Sequence, residues 1–427
     1  MARQQADTRE GVPRFLRAVL TVGVVVGLLI PVYFFLFAEV TPLAWDFRAY
    51  HLAAETALAG EQFVGVRPEV GNGVYVYPPL VVLLFVPYAL IGGWFGTFLL
   101  QSALNLALGV ALAWLILRVV ENRLGHPLSN LDRGLLAAFV LASTYPMIAL
   151  GQGQVDHAVS LALLLGFVWL ERGEQQKSGL AFAFAAVVKV FPVFVGVWLL
   201  YRRAWRAIAT AAAAGLAAVT TSFLLFGVET HVRYLEFLLN ERSRVSEFSG
   251  ELAPDFFGLT LSRPLSVLLP QVDPSLYSPI AAVLFAPVLW LLYSRSETFE
   301  DRLVAFLGTL IGVLIVSPAS NPNHVLFLYF PMVTLAFVLA HRRSGRLVLG
   351  GILAMSFPIH FTHIDRMMEL GGVSTGSRAT VMTVVEPVLS FGTVTLYGLL
   401  FVLAGCVAYA LQDGRGQTTP QGVEQPD

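Results

Sequence analysis

Long apolar runs, separated by short polar turns, recur along almost the whole chain. Their bounds are Phe15–Ala38, Leu80–Trp94, Phe95–Val120, Gly134–Leu150, Val155–Leu170, Gly179–Leu200, Ala204–Phe226, Pro279–Tyr293, Leu303–Val316, His324–Ala340, Leu347–Ile359 and Glu386–Leu411. None shows period-two alternation, so each reads as helix rather than barrel strand. Crossing the hydrocarbon takes about 20 apolar residues per helix, and a backbone in lipid must satisfy its own hydrogen bonds. The pattern therefore predicts an all-α integral membrane protein, a polytopic bundle. Leu80–Trp94 is short and Gly179–Leu200 is interrupted by Lys189 and Pro192, which sets the expectation at ten to twelve crossings. After the first run, Phe47, Tyr50, Ala54 and Leu58 recur at helical spacing with Arg48, His51 and Glu55 on another side, the pattern of an amphipathic helix lying on the membrane. No internal repeat is visible. The chain reads as one membrane domain, residues 1–411, and a polar Gly/Gln/Pro-rich tail, residues 412–427, expected to be disordered.

Composition agrees. The 427 residues are 56% hydrophobic and 13% charged, about half the charge of an ordinary soluble domain. A net charge of −1 with no basic patch argues against nucleic acid as a partner. The single cysteine, Cys406, excludes a disulfide framework and a cysteine metal site. No nucleotide-binding glycine fingerprint, HExxH or nucleophile elbow occurs, which argues against chemistry driven by soluble nucleotide.

Basic residues in short loops mark the cytoplasmic side. Arg3, Arg9, Arg14 and Arg17 put the N-terminus inside, and Arg202, Arg203, Arg206, His341, Arg342, Arg343 and Arg346 mark further inner turns. Twelve crossings bring the C-terminus inside as well, but leave Arg118, Arg123 and Arg133 outside. Treating Leu80–Trp94 as re-entrant, and the Lys189 segment as a hairpin that dips and returns, places that turn inside. The same change moves Gly151–Gln154 to the outer face. Both topologies are open at this point.

Few polar groups lie at membrane depth, and they are the candidates for chemistry. Asp46, in Trp45-Asp46-Phe47-Arg48-Ala49-Tyr50, can act as a general base if desolvation raises its pKa; it can equally cap the next helix or pair with Arg48. Gly151-Gln152-Gly153-Gln154-Val155-Asp156-His157 offers amides and a carboxylate between two apolar runs, or is a plain polar turn. Lys189 stands about ten residues inside its run, where a cation costs roughly 2.5–3.5 kcal/mol. It suits a phosphate or carboxylate unless its stem snorkels to the surface. Ser317-Pro-Ala-Ser-Asn-Pro-Asn-His324 places Asn323 and His324 where they can donate to phosphate or sugar, or forms an Asn/Pro turn. His360, His363, Asp365 and Arg366 read as a solvated loop.

These segments resemble glycosyltransferase family 87, polytopic GT-C-type enzymes that include polyprenol-phosphate-mannose-dependent α-mannosyltransferases. The resemblance rests on Asp46-Phe47, Tyr50, Gly60 and Tyr77-Pro78-Pro79. It continues through Gly153-Gln154-Val155-Asp156, with Asp where Asn is usual, and Lys189 with Pro192. Its last element is Ser317-Pro318-Ala319-Ser320 with His324, where Asn321 replaces Trp. It implies a GT-C-like fold and an inverting transfer of a hexose, mannose above others, from a polyprenyl-phosphate-sugar donor to an extracytoplasmic lipid, glycan or protein acceptor. It implies Asp46 as the catalytic base, with Lys189, His324 and Arg48 on the donor phosphate and Tyr50, Tyr77, Gln154, Asp156 and Asn323 on substrate. No metal and no cofactor are expected, because cationic side chains can bear the phosphate charge. The rival readings are a secondary transporter built on broken helices and a membrane oligosaccharide polymerase or ligase.

Overall fold

A computed structural model describes residues 11–37, 43–71, 73–241, 243, 245–249, 256 and 258–412. The polar start carrying Arg3 and Arg9, and the tail from residue 413, lie outside the described residues. Among the described residues the secondary structure is entirely helical.

The chain opens with α1 (Arg14–Phe37) and the juxtamembrane helix α2 (Trp45–Leu58). A 3-10 turn at Pro79–Leu84 and the short α3 (Val86–Ile91) lead into α4 (Trp94–Leu124). Next come α5 (Asn130–Ala142), α6 (Thr144–Gln152), α7 (Asp156–Glu171) and α8 (Gln175–Val188). A 3-10 turn at Phe191–Phe194 connects to α9 (Val195–Tyr201), and α10 (Trp205–Glu236) follows. Then come α11 (Ser262–Leu268), α12 (Tyr277–Tyr293) and α13 (Phe299–Val316). The 3-10 segment Pro322–Leu328 runs into α14 (Tyr329–Val338). The last helices are α15 (Arg343–Met355), α16 (Phe361–Leu370), α17 (Thr375–Phe391) and α18 (Val394–Gln412).

Five helices, α1, α4, α10, α12 and α18, are long and apolar enough to cross a membrane, or six if the pair α5–α6, bent by 41°, counts as one span. Unbroken spans are thus fewer than the ten to twelve expected, because several apolar runs are cut where the backbone leaves the helix. Ser143 is extended (φ −77°, ψ 178°) between α5 and α6. Lys189 is extended (φ −130°, ψ 126°) after α8, and Pro192 supplies no N–H for the carbonyl four residues back. The run expected at Glu386–Leu411 is split at Gly392 into the end of α17 and the start of α18. The Leu80–Trp94 run is a 3-10 turn and α3, laid against α2 with Phe85 4.6 Å from the Tyr50 ring.

The amphipathic helix forms where expected, with Phe47, Tyr50, Ala53 and Ala54 buried. His51 departs from the expectation: it lies buried rather than on the polar side, with Nδ1 3.4 Å from Glu55 Oε2.

Charged residues gather at one end of the bundle, in a chain of ion pairs. Arg17 holds the buried Asp132 in α5 (2.7 Å), and the next residue, Arg133, holds Glu121 of α4 (2.7 Å). Arg123 of α4 reaches Glu300 of α13 (2.9 Å), and Arg302 reaches Glu171 of α7 (2.6 Å), which Arg202 also contacts (2.8 Å). Tyr409 of α18 donates to Asp301 (3.2 Å). The Arg118–Arg133 turn is thereby fixed beside the N-terminal end of α1.

α15 and α18 pack almost backbone to backbone. A Cβ at Gly398 would sit 2.4 Å from Met355 Cγ and 2.8 Å from the Gly351 carbonyl. Small residues permit this closeness, which is how helices associate where hydrocarbon surrounds them. Gly398→Leu is expected to destabilise the protein by about 1–3 kcal/mol, the usual penalty of overpacking. The check is detergent-phase unfolding, and an unchanged midpoint would contradict the seam.

Candidate active site

Three segments distant in sequence meet at the start of α2. The Ala44 N–H donates to the Gly151 carbonyl (2.8 Å), tying the head of α2 to the end of α6. Gly153 then takes a left-handed conformation (φ 71°), and a Cβ there would fall 2.6 Å from Phe47 Cβ. Only glycine allows both the turn and the approach. Together they bring Gln154 opposite Asp46, whose carboxylate accepts from Gln154 Nε2 at 2.5 Å.

Asp46 does not cap the helix. The N-cap is Ala44, with no side-chain cap bond, and Asp46 lies within the first turn. A carboxylate there is favoured by the helix dipole.

The other face of the Gln154 amide accepts from Lys189 Nζ (3.0 Å). Lys189 also forms an ion pair with Asp156, the first residue of α7 and fully buried. The amide orientation of Gln154 follows: an ammonium can only donate, so Oε1 faces Lys189 and the NH2 faces Asp46. Asp46, Gln154, Lys189 and Asp156 thus form one continuous chain. The extended backbone at the α8 break sends the lysine inward, and Lys189 is buried at 8% exposure, so it does not snorkel.

Aromatic rings surround the ammonium. Its nitrogen lies 5.9 Å from the Tyr77 ring centroid and 5.6 Å from that of Phe327. The hydroxyls of Tyr77 and Tyr50 are 3.0 Å apart. Burial, and after it Tyr77 and Asp46 for Tyr50 and Asp156 for Tyr77, pushes both phenols well above the usual tyrosine range, so both keep their protons. His324 is packed between Phe191 (4.6 Å) and Phe327 (5.5 Å), and its Nδ1 accepts from the Asn321 N–H (3.1 Å). A neutral ring assigned from that bond carries its proton on Nε2. Asn323 donates to Gln152 Oε1 (2.7 Å), which joins the 317–324 segment to the glycine turn.

Eight of the nine candidate residues therefore share this region. Arg48 is the exception. Its guanidinium lies 3.9 Å from the Trp94 ring centroid, at the head of α4. Two positions along a helix point about 200° apart, so Arg48 cannot share the face of Asp46.

Sequence reading missed a supporting row. Tyr88 donates to Gln101 (2.7 Å), Gln101 to Asn105 (3.3 Å), and Asn105 to the Gln154 carbonyl (2.7 Å). The available signal was two amides four residues apart on one face of a long apolar helix, both buried.

Next to the cluster runs an apolar groove of about 600 Å³ between α8, the 190–196 segment and α10. Val190 and Pro192 flank Lys189 in its wall, and Pro78 and Pro79 follow Tyr77. Val193, Leu216 and Val219 remain about half or more exposed along it.

Replacing Lys189 with Met leaves Asp156 as an unpaired buried carboxylate. Lys189→Met is expected to cost about 3–5 kcal/mol, and Lys189→Met with Asp156→Leu to recover most of it. Unfolding in detergent measures both, and equal losses in the single and double variants would refute the pairing.

The profile of glycosyltransferase family 87 matches residues 75–318. A polyprenol-phosphate-mannose-dependent alpha-(1-2)-phosphatidylinositol pentamannoside mannosyltransferase of Mycolicibacterium smegmatis is 25% identical over 290 residues, 66% of this chain and 66% of that protein. Its namesake in Mycobacterium tuberculosis is 26% identical over 280 residues, 65% of this chain and 61% of the relative. The match thus spans just under two thirds of each relative. No solved structure matches. Asp46 and His324 fall outside the profile segment, and the contacts above carry them to it. With the profile covering more than half of its length, the chain belongs to glycosyltransferase family 87.

Proposed function

We propose that this protein transfers mannose from a polyprenyl-phosphate donor to an acceptor hydroxyl at the outer membrane face, with inversion. The observation that carries the reading is the unbroken chain Asp46–Gln154–Lys189–Asp156, with the residues that follow Lys189 and Tyr77 lining an apolar groove. A polar head beside a long apolar channel matches one kind of molecule, a lipid-linked anion. The family and the names of the two relatives supply the sugar and the phosphate.

In this reading the polyprenyl chain lies in the groove, entering from the side through its exposed wall, and the phosphate rests near Lys189 and His324. The Asp46 carboxylate takes the proton of the acceptor hydroxyl. The acceptor oxygen attacks the anomeric carbon as the bond from that carbon to the phosphate oxygen breaks, and polyprenyl phosphate departs with the bonding pair. The leaving group is already a stable anion, so no general acid is required. Lys189 and the Nε2 proton of His324 oppose its growing charge. Gln154 orients Asp46 by donating to it, while Tyr50 and Tyr77, both protonated, offer hydrogen bonds to the sugar. Asn323 and Gln152 form the wall toward the acceptor. A lipid-linked mannoside is the first acceptor to test, from the relatives' names.

The arginine-rich end, from Arg17 to Arg202 and Arg346, faces the cytoplasm by the positive-inside rule. Both termini then lie inside and Asp46 outside.

Asp46→Asn in purified protein, reconstituted with polyprenyl-phosphate mannose, should lower transfer by roughly 10²–10⁴-fold; retained transfer would remove the base assignment. Ala212→Phe narrows the groove on α10 and should raise KM for a long-chain donor while leaving a short-chain donor unaffected. An equal effect on both would show that the prenyl chain lies elsewhere.

A further inference from the structure

The arginine-rich end holds a second cavity that sugar transfer does not use. It measures about 510 Å³, lies between the head of α1 and the α14–α15 turn, and is lined by Pro13, Phe15, Ala340, His341, Arg346 and Leu349. Its surroundings are cationic: Arg14, Arg343 and Arg346 are exposed. Elsewhere at this end, Arg17, Arg123, Arg133, Arg202 and Arg302 are neutralised by carboxylates. No ion pair joins Arg14, Arg343 or Arg346 to any described residue. Among the described residues none of these three has a carboxylate partner; at this corner Arg346 lines the cavity, Arg14 lies next in sequence to Pro13, and Arg343 lies close to Arg346 on α15.

The corner also has an apolar extension. Phe15 is 47% exposed, and Val25, Leu28, Leu29 and Val32 continue an exposed stripe along α1. A soluble anion would make no use of that stripe. A molecule with a phosphate at one end and a hydrocarbon chain at the other would use both parts.

We propose that this corner binds the phosphodiester head group of an anionic phospholipid, whose acyl chain follows α1. Guanidinium forks match phosphate oxygens in pairs, and basic pockets between membrane helices suit such head groups. The site lies at the opposite end of the bundle from Asp46 and is independent of the transfer reaction.

The test is native mass spectrometry of the full-length protein titrated with phosphatidylglycerol, phosphatidylcholine or inorganic phosphate. Wild type should retain phosphatidylglycerol in preference to phosphatidylcholine. Arg14→Gln, Arg343→Gln and Arg346→Gln together should weaken phosphatidylglycerol roughly hundredfold, with the thermal midpoint unchanged. Arg346→Gln alone should give a smaller loss in the same direction. Arg203→Gln with Arg206→Gln, which removes exposed charge away from the corner, should have no effect. The proposal is overturned if the triple variant binds phosphatidylglycerol like wild type, or if the Arg203/Arg206 variant loses as much. It is overturned equally if inorganic phosphate displaces the lipid at matched concentration, which would mark a soluble-anion site.

Discussion

A lysine ammonium inside an apolar bundle must be neutralised and hydrogen-bonded, or the fold loses several kcal/mol. Lys189 meets that demand with Asp156 and Gln154, and much of the surrounding geometry answers the same requirement. α8 stops one residue before the lysine, so the backbone is extended where the side chain turns inward, and Pro192 keeps the helix from resuming at once. The glycine turn at residue 153 delivers Gln154 and Asp156 from the neighbouring element. Gln154 then has one free end, its NH2, and that end is what Asp46 receives. The candidate base is oriented by a cation it does not touch.

The bundle has two polar layers with hydrocarbon-compatible helices between them. One is the chain of ion pairs running from Arg17 through Glu121, Glu300 and Glu171 to Arg202. The other is the Asp46–Asp156 cluster. They differ in kind. The ion pairs are mostly between partly exposed partners and contribute modestly one by one, while their continuity fixes which turns lie side by side. The cluster is nearly sealed, so each of its interactions is strong and each missing partner is costly. A scaffold held at one end leaves the other end free to arrange groups for chemistry rather than for stability.

How much of this was legible in the sequence depended on whether a residue disturbed the hydropathy pattern. Lys189, Asp46 and Asp156 stand out because charge in an apolar run is expensive, and the structure brings all three together. Gln101 and Asn105 escaped because neutral amides hardly change the character of a 31-residue apolar helix. The break at Ser143 was hidden for a similar reason, since a serine that bonds the Phe139 carbonyl (2.5 Å) and the Tyr329 hydroxyl (2.8 Å) looks innocuous in a string. Arg48, two residues from Asp46, points to another side of α2, toward Trp94, which a string of residues does not reveal. The helix ends gave way for another cause: run lengths report hydrophobicity, whereas spans end where the backbone turns, as at Gly392.

The charge balance of the cluster constrains any reaction assigned to it. By formal charge, two carboxylates and one ammonium make the four-residue chain net negative, an unfavourable setting for an incoming phosphate. Lys189 is already opposed by Asp156, which shares its field, and Arg48 is turned toward Trp94. In the proposed reaction a donor phosphate would rely on the proton of His324 and the two protonated tyrosines as well as on Lys189. Neutral donors of this sort stabilise an anion through fixed dipoles rather than net charge, and they work best when water is excluded. The rings of Phe191 and Phe327, on either side of His324, supply that exclusion. With Lys189 paired to Asp156, the proposed transfer would depend correspondingly more on dry, well-oriented hydrogen bonds.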